Sequence, residues 1–280
     1  MLLAVRNGSA WLPEAVDSVL SQTLRDLELV VVDDGSTDDT WRVVTEAQQR
    51  DARVRRSRIR ASGLAPALNH AISLARAPLL ARLDADDLAH PERLARQVAY
   101  LEAHPAVGLL ASSWYERDAA GAGRVMRTPT DDADLRRTLI RRNPFAHSSV
   151  MYRASVVRQL GGYDEAFEVA QDYDLWLRMA RVTELASLDL PLVTRRLHVT
   201  SVSATRDSGR LWSEARARLR AVRAGTYPAW CAVYAMRPLL ALTLPRRVRD
   251  ALRVAMAHTQ PLRNSASTHA YSGRVPGVSP

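Results

Sequence analysis

Three acidic clusters carry the residue types needed for chemistry on a charged, oxygen-rich ligand. In ARLDADD, Asp84 and Asp86 flank an alanine. A turn after an extended segment can bring such alternating carboxylates toward one hard cation, which prefers oxygen ligands. A divalent ion held this way bridges two phosphates and neutralises the charge on a departing diphosphate. In VVVDDGS, Asp33 and Asp34 close an apolar run. One of these carboxylates suits an Asx-turn or a helix cap, and the other, beside Gly35, is placed to accept hydrogen bonds from a ribose or a base. In AQDYDLWLRMA, Asp172 and Asp174 open a helix whose dipole favours carboxylates. Two residues apart they cannot share a helix face, so one is left to look into a cleft, where apolar neighbours raise its pKa toward that of a general base. Each cluster also has a plainer reading as a turn, a cap or a solvated loop. His147 and His198 read first as hydrogen-bonded structural residues, and Asn7, Asn69 and Arg60 as turn, cap and surface residues.

The elements that must hold these clusters alternate along the chain. Leu2 to Val5 reads as a short buried strand, and Ser9 as the N-cap of a helix running through Leu20. The continuous apolar run from Leu27 to Val32 suits a strand covered on both faces. Val54 to Ile59 is an arginine-interrupted strand, Leu64 to Arg76 a helix, Leu79 to Leu83 a strand, Pro91 to Ala103 a helix and Val107 to Ser112 a further strand. Repeated βα units predict an α/β fold, with ligands beyond the carboxyl ends of the strands. Both Asp33-Asp34 and Asp84 to Asp87 fall at such ends. After Trp114 the pattern loosens: Asp131 to Arg141 reads as a helix, His147 to Tyr152 as a strand and Ala170 to Val182 as a helix.

Composition sets the outer bounds. A chain of 280 residues can bury a substantial core. The single cysteine, Cys231, has no internal partner for a disulfide, so the expectation is a reducing, cytoplasmic setting. The formal charge of +9 points toward nucleic acid or anionic membrane. All 39 basic residues are arginine, however, which reflects compositional bias more than a phosphate-binding face. A nucleic-acid partner is therefore not expected. The arginines crowd between Arg206 and Arg263. There the segment Ala229 to Leu244 is too short for a membrane span and carries Arg237 and Pro238 in its middle, so it reads as an amphipathic or core-docking helix with a break. That stretch either packs on the preceding domain or associates peripherally with the anionic inner face of the cell membrane.

The motifs, in their order, resemble family 2 glycosyltransferases of the GT-A fold from about Leu2 to Ser203. The matching stretches are AVRNGSAWLPEAVDSVLSQTLRDLELVVVDDGSTDDT, ALNHAISLARAPLLARLDADDLAHPERL, NPFAHSSVMYR, GGYDEAF, QDYDLWLRMA and RLHVTSVS. The resemblance implies a GT-A, Rossmann-like, mostly parallel sheet flanked by helices over 1–204. An arginine-rich helical extension over 205–262 and a disordered tail over 263–280 would follow. It also implies inverting transfer of a sugar from a nucleoside-diphosphate donor to the hydroxyl of a sugar or lipid-linked acceptor, in cell-surface polysaccharide or envelope glycan synthesis. On this resemblance Val5, Arg6, Asn7, Asp34, Arg60 and Asp84 would bind the nucleotide sugar. Asp86 and His198 would hold Mg²⁺ or Mn²⁺, Asp172 would be the catalytic base, and His147 and Trp176 would face the acceptor. The family's first strand usually starts earlier, which predicts a shortened central strand here, and Arg6 stands where an aromatic is usual. Two other classes compete. A nucleotidyltransferase would be expected to show a glycine- and lysine-rich phosphate loop, and a non-catalytic nucleotide- or RNA-binding module would be expected to show aromatic-interleaved basic strands.

Overall fold

The computed structural model describes residues 1–118, 120–197 and 207–242. The described residues form one compact unit, Met1–Leu242. The boundary expected between 204 and 205 thus falls inside that unit, while the tail expected over 263–280 lies outside the described residues.

The first strands form as the apolar runs dictate. β1 (Leu2–Val5), β2 (Leu29–Asp34) and β3 (Val54–Ile59) pair in parallel in that order, with Leu2 to Val5 matched residue for residue to Val30 to Asp33. β1 is short but wholly buried. Alternation sends Leu2, Ala4, Val30 and Val32 to one face and Leu3, Val5, Leu29 and Val31 to the other. Helix α1 (Leu12–Leu20) and helix α2 (Thr40–Arg50) cover the second face with Leu12, Val16, Val19, Val44 and Ala47. Helix α3 (Leu64–Leu74) covers the first with Ala65, Leu68, Ala71 and Ile72.

The remaining strands are β4 (Leu79–Ala81), β5 (Leu88–Ala89), β6 (Val107–Arg117), β7 (Gly123–Met126), β8 (Met151–Arg153) and β9 (Glu184–Arg196). They form a second sheet in the order β4-β8-β6-β9-β5, with β7 on β6. Within it β6 and β9 run parallel, and β4–β8, β6–β8, β5–β9 and β6–β7 are antiparallel. A parallel bridge from Leu2 to Arg82 joins the two sheets. The parallel expectation therefore describes β1 to β3, and the α/β architecture as a whole is mixed. The helices α4 (Arg93–Ala103), α5 (Asp132–Leu139), α6 (Ala154–Gln159) and α7 (Gln171–Met179) complete the layers.

Three local expectations are corrected. Ser9 does not cap α1: the helix begins at Leu12 with no side-chain cap, and the Ser9 N–H instead donates to Asp38 at 3.1 Å. His147 to Ser149 is a 3-10 turn rather than strand, because the N–H and Oγ of Ser149 both donate to the Ala146 carbonyl, at 2.9 and 2.8 Å. Pro238 does not break its helix, which runs from Val233 through Leu242.

The helical extension is built into the core. Helix α8 (Asp207–Arg223) places Ala217 and Ala221 in the main cluster, together with Tyr227 and Cys231. Its buried Arg218 donates to the carbonyls of Ile140 and Arg141, each at 3.1 Å. Helix α9 (Val233–Leu242) follows a 3-10 turn at Ala229–Ala232.

Candidate functional site

The loops after β1, β2 and β4 emerge at one edge, since these strands run parallel. Asn7 follows β1 with φ of 53°, a left-handed conformation that asparagine tolerates. Its Oδ1 accepts the Thr37 N–H at 2.8 Å, and its own N–H donates to Ser36 Oγ at 2.9 Å. Gly35 is required between them: at φ of 66°, a Cβ would lie 2.6 Å from the Ala61 nitrogen. Asp33, fully buried, accepts the Ser36 N–H at 2.9 Å and pairs with Arg58 Nε at 3.1 Å. Asp34 accepts the Ser62 and Gly63 N–H groups at 2.7 and 2.9 Å, which ties β2 to the start of α3. Arg6 and Arg60 are exposed on the same edge.

The second cluster is organised differently. One carboxylate oxygen from each of Asp84, Asp86 and Asp87 lies within 4.8 Å of the others. Three hard oxygen donors at this spacing fit a divalent cation such as Mg²⁺ or Mn²⁺. Ser148 stands beneath them. Its Oγ contacts both Asp84 and Asp87, accepts the Asp84 N–H at 3.0 Å and accepts from Arg82 Nη1 at 3.2 Å. Arg82, wholly buried, ion-pairs with Asp84. Burial alone would raise the Asp84 pKa, but the charge and hydrogen bond of Arg82 outweigh it and hold the carboxyl below the usual range. Burial, with the charges of Asp84 and Asp86, pushes Asp87 up to about 7.

Across from this cluster, Asp172 opens α7. It is half-buried, accepts from Asn143 Nδ2 at 3.0 Å, and has its pKa raised by burial against the pull of the Tyr173 N–H and Arg82. Asp84 acts on it electrostatically, so Asp172 and the three carboxylates share one neighbourhood. Asp174 is spent elsewhere: it is buried and pairs with Arg178 at 2.7 Å, whose other nitrogens hold the Leu160 and Gly162 carbonyls. Gly162 needs φ of 75° and leaves room for Asn69, whose Oδ1 accepts the Tyr163 N–H at 2.8 Å. Tyr163 is thereby set with its hydroxyl 2.8 Å from His147 Nε2. Burial, then Arg82, pushes the His147 pKa well below 6.5, so the ring is neutral.

The structure brings Asp84, Asp86, Asp172 and His147 together, and sets Val5, Asn7 and Asp34 at the adjoining strand ends. Trp176 is corrected: it is fully buried, its ring 5.8 Å from His147 and 6.0 Å from Tyr152, so it is a floor under His147 rather than a surface for an acceptor. His198 lies outside the described residues. Asp87, Ser148, Arg82 and Asn143 were not singled out from the sequence. Asp87 had a signal in its adjacency to the DAD triplet, whereas nothing in residue spacing marks Ser148, which is 64 positions from Asp84.

Residues 2–161 match the family model described as Glycosyl transferase family 2. EpsE of Bacillus subtilis is 33% identical over 184 residues, covering 64% of this chain and 65% of that protein. The amylovoran biosynthesis glycosyltransferase AmsE of Erwinia amylovora is 32% identical over 169 residues, 60% of this chain and 63% of its own length. The chain thus spans a little under two thirds of these relatives. Among solved structures, S. aureus TarS 1-349 in complex with UDP-GlcNAc superposes with a TM-score of 0.66 at 17% identity, over 79% of this chain and 65% of that one. The mannosyltransferase PcManGT of Pyrobaculum calidifontis, in complex with GDP-Man and Mn²⁺, gives 0.60 at 21% identity, over 92% and 78%. These likenesses establish the fold.

Proposed function

The chain belongs to glycosyl transferase family 2, and from that premise we propose that it moves a sugar from a nucleoside-diphosphate donor to an acceptor hydroxyl with inversion at the anomeric carbon. One observation carries this reading: three carboxylates converge at a strand's carboxyl end in the same electrostatic neighbourhood as a half-buried aspartate of raised pKa. Asp84, Asp86 and Asp87 would hold a divalent cation, which would supply the charge neutralisation that a departing diphosphate needs. Val5, Arg6, Asn7, Asp34 and Arg60 line the adjoining edge, where the nucleoside binds, with Asp84 bordering ribose and cation.

Asp172 takes the proton from the acceptor hydroxyl, and the freed oxygen attacks the anomeric carbon from the side opposite the diphosphate. Base and leaving group must lie on opposite sides of the sugar in such a displacement, and here they come from α7 and from the loop after β4. The raised pKa makes Asp172 a better base than an ordinary aspartate. Asn143 orients it, and neutral His147 offers a hydrogen bond to the acceptor. AmsE, named for amylovoran biosynthesis, supports polysaccharide or envelope glycan synthesis as the setting, with a sugar or lipid-linked acceptor. Thermal unfolding of the full chain against UDP- and GDP-sugars, with Mn²⁺ or with EDTA, tests the reading. Stabilisation by a nucleotide sugar in Mn²⁺ alone is expected, and stabilisation by none in either condition would reject it.

A further inference from the structure

Among the described residues, every large apolar side chain that is more than half exposed lies in the segment after residue 207. These are Trp212, Trp230, Val233, Met236 and Leu240, between 52% and 65% exposed. Their placement is ordered. Val233, Met236, Arg237 and Leu240 follow an i, i+3, i+4, i+7 spacing and therefore share one stripe of α9. The opposite side of the same helical segment is buried at Cys231, Ala235 and Pro238. Trp230 extends the stripe at its N-terminal end, with its ring 6.1 Å from Tyr234. Leu239 of α9 lines a groove of about 490 Å³ together with Trp212, Arg216, Leu219 and Arg223 of α8 and with Asp164.

Arginine outnumbers acid on these helices, although Asp164 also lines the groove. Residues 207–242 hold six arginines and two acids, Asp207 and Glu214. Glu214 is engaged within its own helix by Arg210 at 2.6 Å and Arg218 at 3.3 Å. Arg218 is buried and Arg220 pairs with Asp164 and Asp174. Arg216, though exposed, donates to the Ala166 carbonyl at 3.3 Å and lies over the Phe167 ring, while Arg223 and Arg237 are exposed beside the apolar groups. Tryptophan beside arginine on one side of a helix pair is the composition of a surface that enters the headgroup layer, with its rings at the acyl boundary and its guanidinium groups on lipid phosphates. No helix among the described residues is long and apolar enough to span a bilayer.

We propose that the Trp212–Trp230–Met236 face of the α8–α9 pair is a docking surface for an anionic phospholipid bilayer, which the protein binds in the interfacial plane. This goes beyond the sugar-transfer reading and does not depend on it. On this proposal the two alternatives stated for the sequence are compatible, since one side of the helix pair packs on the core and the other is left for lipid.

Co-sedimentation of the full chain with phosphatidylcholine vesicles and with vesicles containing phosphatidylglycerol tests it. Binding to the anionic vesicles alone, weakening as salt rises, is expected. Arg223→Gln and Arg237→Gln should each weaken binding about fivefold. Trp212→Ala with Trp230→Ala should weaken it at least about tenfold, with Tm unchanged because both rings are exposed. Absence of binding to anionic vesicles would overturn the proposal. So would binding indifferent to these substitutions, which would place the contact elsewhere in the chain, or a dimer in solution that the tryptophan substitutions dissociate, which would make the face an interface between two copies.

Discussion

Asp33-Asp34 and Asp84 to Asp87 both stand at carboxyl ends of strands on one edge of the protein, and they differ in what surrounds their oxygens. The Asp33 and Asp34 oxygens meet backbone N–H groups of Ser36, Ser62 and Gly63 and the guanidinium of Arg58. Asp84 and Asp87 converge with Asp86 over the Ser148 hydroxyl and the buried Arg82, and one Asp87 oxygen also accepts the Arg196 N–H at 3.1 Å. A hydroxyl with one proton cannot satisfy two carboxylates at once. Like charges held this close favour a cation or a bound proton, and burial with the charges of Asp84 and Asp86 pushes Asp87 up to about 7. The first cluster ties the loops of this edge together, whereas the second brings three carboxylates to one point, the arrangement on which the proposed cation site rests.

The largest expected effect separates the clusters by function. Asp86→Asn should lower sugar transfer about 10³-fold, as loss of a charge-stabilising group does, while Tm moves little because Asp86 is half-buried on a loop. Retained activity in this variant would make the two clusters equivalent. Next, Asp172→Asn should lower kcat about 10²-fold or more with Mn²⁺-dependent nucleotide binding intact.

The pH dependence of Asp172 has a definite sign. Because burial raises its pKa above the ordinary 3.8, the proton is retained to higher pH and the basic form is lost earlier as pH falls. The wild-type rate should therefore decline on the acid side through that raised pKa, and the limb should vanish in the Asn variant. The same shift weakens the fold as pH rises through this range, since the folded state binds the proton more tightly than the unfolded chain. Asp172→Asn should flatten that slope in thermal unfolding.

Two smaller effects sharpen the contrast. Ser148→Ala removes the hydroxyl shared by Asp84 and Asp87 and should raise the Kd for Mn²⁺ about tenfold, equivalent to roughly 1.4 kcal/mol. Asp33→Asn should do the reverse, costing about 1 to 3 kcal/mol of stability by unfolding measurements through its buried partners. The Mn²⁺ Kd should then stay as in wild type. If Asp33→Asn weakened Mn²⁺ while Ser148→Ala did not, the assignment of roles to the clusters would be inverted.

This contrast was only half legible beforehand. Periodicity and apolar runs located β1, β2, β3 and the helices that cover them, and residue type put carboxylates at the right strand ends. What distinguishes the clusters comes from distant segments: Arg58 and Ser62 for one, Ser148 and Arg82 for the other. Such pairings depend on tertiary geometry, which spacing along a chain does not encode. The same limit explains Trp176, which the resemblance implies faces the acceptor but whose ring is turned into the core, as the apolar run of its helix suggests. It also explains the extension, whose arginine-rich composition concealed that Arg218 is buried against Ile140 and Arg141.

Calorimetric titration of UDP and GDP into the wild-type chain and Asp86→Asn, each with Mn²⁺ and with EDTA, tests the central claim most directly. The account predicts that a nucleoside diphosphate binds the wild type in Mn²⁺ but not in EDTA, and that Asp86→Asn binds weakly in both. Equal, EDTA-insensitive binding in wild type and variant would contradict a cation site at Asp84, Asp86 and Asp87.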